Sequence, residues 1–188
     1  MIISSNLKKR IIPIILVDKY QVVTSKLFGD YRVVGNLEQT IEVFNIRNVD
    51  EIIVLDITSS KIGNRVDENI LKLMSKNTMM PFSYGGAIKS LHDIEYCLKN
   101  GCDKIVLNHS IIHNQNLLKN SIKEFGKQAI VTSINYKFLN GNEYIFDHVK
   151  NSITNITLSE YLKIIENIGC AEIMLTNIQR DGQLNNYD

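Results

Sequence analysis

Short apolar runs alternate with longer stretches of helical periodicity along this chain. Runs at 10–16 (RIIPIIL), 51–55 (EIIVL), 81–84 (PFSY), 104–107 (KIVL), 129–134 (AIVTSI) and 172–175 (EIML) predict six strands. They are rich in Ile and Val, and several are apolar throughout, as parallel strands covered on both faces should be. Apolar positions at helical spacing predict helices over 37–45, 68–75, 91–100, 116–125 and 158–167. Ser90 followed by Asp93, and Thr157 followed by Glu160, have capping-box spacing, and Asn100-Gly101 and Ile168-Gly169 stand where helices should stop. Strict βα alternation implies an α/β fold with a parallel sheet, open or closed.

Two segments break the rhythm. Residues 17–28 follow the first strand, and 137–147 follow the fifth with Asn140-Gly141 as a hairpin turn signal. In a barrel both would stand over the C-terminal face, where such folds do their chemistry. The halves also echo each other. VDEIIVLDITSS (49–60) resembles CAEIMLTNIQRD (170–181), and RIIPIILVDKYQVV resembles QAIVTSINYKFLNG in place. A four-strand unit repeated once would be a half-barrel duplication.

Composition narrows the function classes. The chain has 188 residues and a formal net charge of +1. That balance argues against a nucleic-acid partner, which calls for a strongly basic face. No apolar run approaches a membrane span, and the first residues have the wrong order for a signal peptide. Cys97, Cys102 and Cys170 lack metal-ligand spacing, so a reduced, cytoplasmic chain is expected.

Charge and polarity then separate the strand ends. Arg10, Glu51, Lys104 and Glu172 each precede an Ile at a strand's N-terminal edge. In a barrel they form a small, neutral ring, which reads as a stabilising salt-bridge plug. The opposite ends carry Asp56, Gly85-Gly86, Asn108, Asn135, Thr176 and Arg180-Asp181-Gly182. Gly85-Gly86 with Asn108 could take a phosphate, or form only a tight turn. Asp56 and Asp181 are the carboxylate candidates, and each reads equally as a turn cap. His109 and His113 have i, i+4 spacing but no carboxylate between them, so no metal is expected. No cofactor motif appears.

These residues resemble the HisF family, the cyclase subunit of imidazole glycerol phosphate synthase. The matching segments are KRII (9–12), VDEIIVLDIT (49–58), PFSYGGAI (81–88), GCDKIVLN (101–108), FGKQAIV (125–131) and AEIMLTNIQRDG (171–182). The resemblance implies a TIM (β/α)8 barrel of the HisA/HisF type. It also implies a glutaminase docked on the barrel floor, whose ammonia crosses the barrel to a phosphorylated ligand at the top. Arg10, Glu51, Lys104 and Glu172 fall on the family's floor gate, and Asp103 on its docking aspartate. The implied phosphate-binding positions are Gly86, Ala87, Asn108, His109 and Gly182.

The active face departs from the family. Its two catalytic aspartate positions hold Leu16 and Asn135, which cannot exchange protons near neutral pH. Its first-loop lysine falls on Thr24, with Lys19 and Lys26 near, and Gln183 replaces a threonine. Asp18 lies two residues beyond Leu16 and could reach the rim on the same strand face. A floor retained beneath an altered top resembles the WbuZ-type paralogues of surface-polysaccharide biosynthesis. That implies a HisH-like glutaminase and a separate sugar amidotransferase as partners. The alternatives are an authentic cyclase in histidine biosynthesis, or a scaffold binding a phosphorylated small molecule. A barrel of this type needs about 250 residues. The expectation is therefore one incomplete barrel domain over 1–188, truncated after strand 6, with strands 7–8 missing and Asp188 an artificial end.

Overall fold

A computed structural model describes residues 9–62 and 65–184. The first half runs β1 (Ile14–Asp18), β2 (Gln21–Lys26), β3 (Gly29–Asn36), α1 (Leu37–Ile46), β4 (Ile52–Asp56), α2 (Ile57–Ile62), α3 (Glu68–Asn77), β5 (Phe82–Gly85) and α4 (Leu91–Lys99). It continues with β6 (Lys104–Leu107), α5 (His109–His113), α6 (Gln115–Phe125), β7 (Ile130–Leu139), β8 (Asn142–Asp147), β9 (Ser152–Thr157), α7 (Leu158–Ile168) and β10 (Glu172–Asn177). The six expected strands are β1, β4, β5, β6, β7 and β10. They pair in parallel in chain order, with β10 beside β7.

Period-two alternation divides the core in two. Ile52 and Val54 of β4 join Ile105, Leu107 and Ile130 under the helices, against Ile41, Leu71, Met74, Leu118 and Ile165. Ile53, Val106 and Val131 point the other way and pack with Ile12, Leu55 and Met174. Both strand faces are therefore apolar, which is why these strands carry no polar alternation in sequence. Helix α7 shows how the outer layer is fixed. Leu158, Tyr161 and Ile165 are its buried stripe, Thr157 and Glu160 form a reciprocal capping box, and Gly169 ends it at φ 90°. The Ser90–Asp93 box on α4 forms as well.

The structure corrects several expectations. The first strand begins at Ile14 rather than residue 10, because Pro13 has no N–H to give to a ladder. It runs on to Asp18 and folds back antiparallel through β2 and β3. The second extension forms the expected hairpin at Asn140-Gly141 and adds β9. Thus the first strand of each half carries an antiparallel extension over the same rim. The closed eight-stranded ring is not formed among the described residues: β1 and β10 do not pair. The sheet nevertheless curls far enough for the turn after β10 to meet the first hairpin. There Leu27 N–H donates to the Asp181 carbonyl, and Ser25 Oγ and Phe28 N–H donate to the Asp181 carboxylate. The proposed chain end at Asp188 lies outside the described residues. No helix among the described residues is long and apolar enough to cross a membrane.

Candidate functional site

The four charges expected at the strand beginnings meet in one chain of ion pairs. Arg10 reaches Glu51 at 3.3 Å, Lys104 reaches Glu51 at 3.0 Å, and Lys104 reaches Glu172 at 2.8 Å. Ser83 Oγ donates to the other Glu51 oxygen at 2.8 Å. Glu51 is only 2% exposed, so its carboxylate depends on these partners. Burial opposes the Lys104 charge, but hydrogen bonds to Glu172 and Glu51 outweigh it and raise the lysine above its ordinary range. Asp103 lies beside this floor. Its carboxylate accepts the Phe82 N–H at 3.0 Å, which ties the start of β6 to the start of β5.

Above the floor, period two carries each strand from charge through an apolar layer to a polar rim. Glu51 gives way to Ile53 and Leu55, Lys104 to Val106, and Glu172 to Met174 and Thr176. Over that layer opens a cavity of about 620 Å³. It collects the expected rim residues: Leu16, Asp56, Asn135, Gly86, Ala87, Asn108, His109, Asp181 and Gly182 all border it, as does Thr24.

Local geometry fixes what each can do. Asp56 is buried. It accepts the Ser59 N–H at 2.9 Å, the cap of α2, and the Tyr84 hydroxyl at 3.3 Å. Burial, then the Asp56 charge, pushes the Tyr84 phenol well above its ordinary range. Asp56 is thus a cap that also faces the cavity. Gly86 has φ 133°, and a Cβ there would stand 2.5 Å from the Asp56 carbonyl oxygen, so glycine is required for this close approach. Asn108 Nδ2 donates to Ser133 Oγ at 3.0 Å, and its buried Oδ1 has no partner among the described residues. That oxygen is an acceptor for a ligand N–H or O–H. Asp18 does not border the cavity; it accepts the Thr58 hydroxyl. Lys19 and Lys26 also lie off it. Leu16 and Asn135 both face the cavity, and Asn135 Nδ2 lies 3.4 Å from His148 Nδ1.

One cluster was not legible in the sequence. Asp147, at the end of β8, lies 2.8 Å from His109 Nδ1 and 2.6 Å from His113 Nε2. The carboxylate missing between the two histidines comes from a hairpin 34 residues further on. Asp147 Oδ1 also accepts the N–H groups of Val149 and Lys150. Burial alone would raise this carboxyl. Hydrogen bonds from His113, Lys150 N–H and His109, with the His109 charge, hold it down at about 2.

A curled parallel sheet with its polar cavity at the strand C-termini defines an α/β protein of the barrel type. A family model described as histidine biosynthesis protein matches residues 10–188, and the chain belongs to that family. A relative from Campylobacter jejuni, provisionally named imidazole glycerol phosphate synthase subunit hisF2, is 35% identical over 97% of this chain and 72% of its own length. A protein of the same name from Vibrio vulnificus is 33% identical over 97% of this chain and 67% of its own. The imidazole glycerol phosphate synthase subunit HisF of Sulfolobus acidocaldarius is 34% identical over 96% and 72%. The chain is therefore a HisF-like protein.

Proposed function

We propose that this chain is the ammonia-conducting barrel subunit of a glutamine-dependent amidation system. It would receive ammonia from a HisH-like glutaminase at the floor and pass it to a separate sugar amidotransferase in surface-polysaccharide biosynthesis. The observation that carries the reading is the pairing of an organised floor with a changed rim. Arg10, Glu51, Lys104 and Glu172 are linked by ion pairs, while Leu16 and Asn135, which the resemblance sets at the family's two catalytic aspartate positions, face the cavity without an acid–base group. An apolar layer of Ile53, Val106 and Met174 lies between them. Neutral ammonia can cross such a layer, whereas a charged ammonium would meet a large desolvation cost. Asp103, beside the floor, helps to dock the glutaminase.

The names of relatives also support a second reading, an authentic cyclase of histidine biosynthesis. Losing two acid–base groups, each worth about 10²–10⁴-fold, speaks against it. The test co-expresses the barrel with its glutaminase and the sugar amidotransferase. Glutamine-driven amidine formation should require the barrel; equal product without it defeats the proposal. Growth without histidine of a cyclase-deficient strain carrying this protein would favour the second reading.

A further inference from the structure

The His109–His113–Asp147 cluster belongs neither to the floor nor to the two substituted catalytic positions, and its chemistry is that of a metal ligand set. Helix α5 presents His109 and His113 one turn apart, and β8 brings Asp147 against both. The donor atoms of all three lie within 4.8 Å of one another. Zinc bonds to imidazole nitrogen and carboxylate oxygen are about 2.0–2.2 Å, which sets tetrahedral donor atoms about 3.3 Å apart. The present contacts of 2.6 and 2.8 Å are closer than that. A shift of about half an ångström in each side chain would therefore admit the ion.

Two further observations point to a cation rather than a chance contact. Asp147 is 1% exposed, and among the described residues no lysine or arginine pairs with it. With no such cation beside it, the carboxylate turns both oxygens to the two imidazole nitrogens. Its orientation is also fixed in advance: the Val149 and Lys150 N–H groups hold Oδ1, as outer-sphere donors hold metal ligands in place. Asp147 Oδ2, by contrast, has only the His113 contact among the described residues. His109 is the member that borders the cavity.

We infer that His109, His113 and Asp147 form a binding site for a divalent transition ion of the zinc type, at the edge of the cavity. Two imidazoles and one carboxylate suit zinc, cobalt(II) or nickel(II) rather than magnesium or calcium, which prefer all-oxygen sets. Three protein ligands leave a coordination position open, as in catalytic rather than structural zinc sites. Its natural occupant is an oxygen ligand: water, or a phosphate or hydroxyl oxygen of a molecule in the cavity. The ion also ties the β8–β9 hairpin to α5.

The test is metal binding by the full chain, independent of any glutaminase, so its outcome does not depend on the ammonia reading. The chelator-stripped protein is titrated with zinc by calorimetry and with cobalt(II) by visible absorption. One ion per chain is expected, with the intense d–d bands of a four-coordinate cobalt site. His113 is 42% exposed, so His113→Gln should keep the fold, checked by circular dichroism, and lower affinity by at least about tenfold. Asp147→Asn should do the same where it folds. No binding at micromolar metal, or equal binding by His113→Gln, overturns the site. So does a thiolate-to-cobalt band, which would place the ion at the buried Cys97 and Cys102 instead.

Discussion

Lys104 is the residue on which the floor turns, because it bridges two carboxylates of unequal burial. Glu51 is almost wholly buried, whereas Glu172 is about one-third exposed. Lys104→Ala removes the nearer cation from buried Glu51, leaving it Arg10 and Ser83, and should cost up to about 3 kcal/mol, the lower end for breaking a buried pair. Glu172→Gln should cost about 1 kcal/mol or less. Urea denaturation of the two variants checks this order. The pH dependence follows from the raised Lys104 pKa. The stabilisation is complete below the unfolded lysine value of about 10.4 and is lost as pH rises through the higher folded value. The stability gap between wild type and Lys104→Met should therefore hold level from about pH 7 to 9 and narrow only in the alkaline range beyond about 10.4. At the rim, Gly86→Ala meets the Asp56 carbonyl at φ 133°. It should destabilise by about 1–3 kcal/mol and disturb the α2 cap beside it, as seen in amide shifts of Ser59.

At the scale of elements, the six parallel strands and the five longer helices were legible because their signals are local. Apolar runs of Ile and Val, capping boxes and stop glycines act within a few residues. The second hairpin was legible for the same reason, since Asn140-Gly141 suits its turn, at φ 49° and 85°. The first extension was not. Its two tight turns place Lys19 and Tyr20, then Leu27 and Phe28, at positive φ with no glycine or asparagine among them. Tertiary contacts hold these strained turns: Lys19 N–H donates to Thr58, the Tyr20 hydroxyl to Asp67, and Phe28 N–H to Asp181. The short helices α2 and α5 fall below the length at which periodicity can show. Asp147 escaped because the partner of its histidines lies across a hairpin. Lys19→Asn should raise stability by about 0.5–1 kcal/mol, visible as a higher melting temperature. A lower one would mean that the lysine side chain contributes something its backbone conformation does not reveal.

Across the whole molecule, one sheet face carries three zones in sequence from floor to rim: charge, an apolar layer and a polar cavity. Floor residues were legible as charges that begin strands, and the rim as polar residues that end them. Their union in one ion-pair chain and one cavity depends on the curl of the sheet, which no single segment encodes. The curl is held across the open flank by Asp181, through Ser25 and Phe28. Asp181→Ala should loosen the first hairpin, measured as faster hydrogen exchange at Phe28 N–H with the floor amides unchanged. The proposed function requires ammonia to pass from floor to rim. The direct measurement supplies amide-¹⁵N glutamine to the barrel, its glutaminase and the sugar amidotransferase in the presence of bulk unlabelled ammonium. The amidine should carry mostly ¹⁵N with the wild-type barrel, and the label should be diluted or lost with Lys104→Glu. Equal labelling by the two proteins, or the same labelled product with no barrel present, would contradict the account.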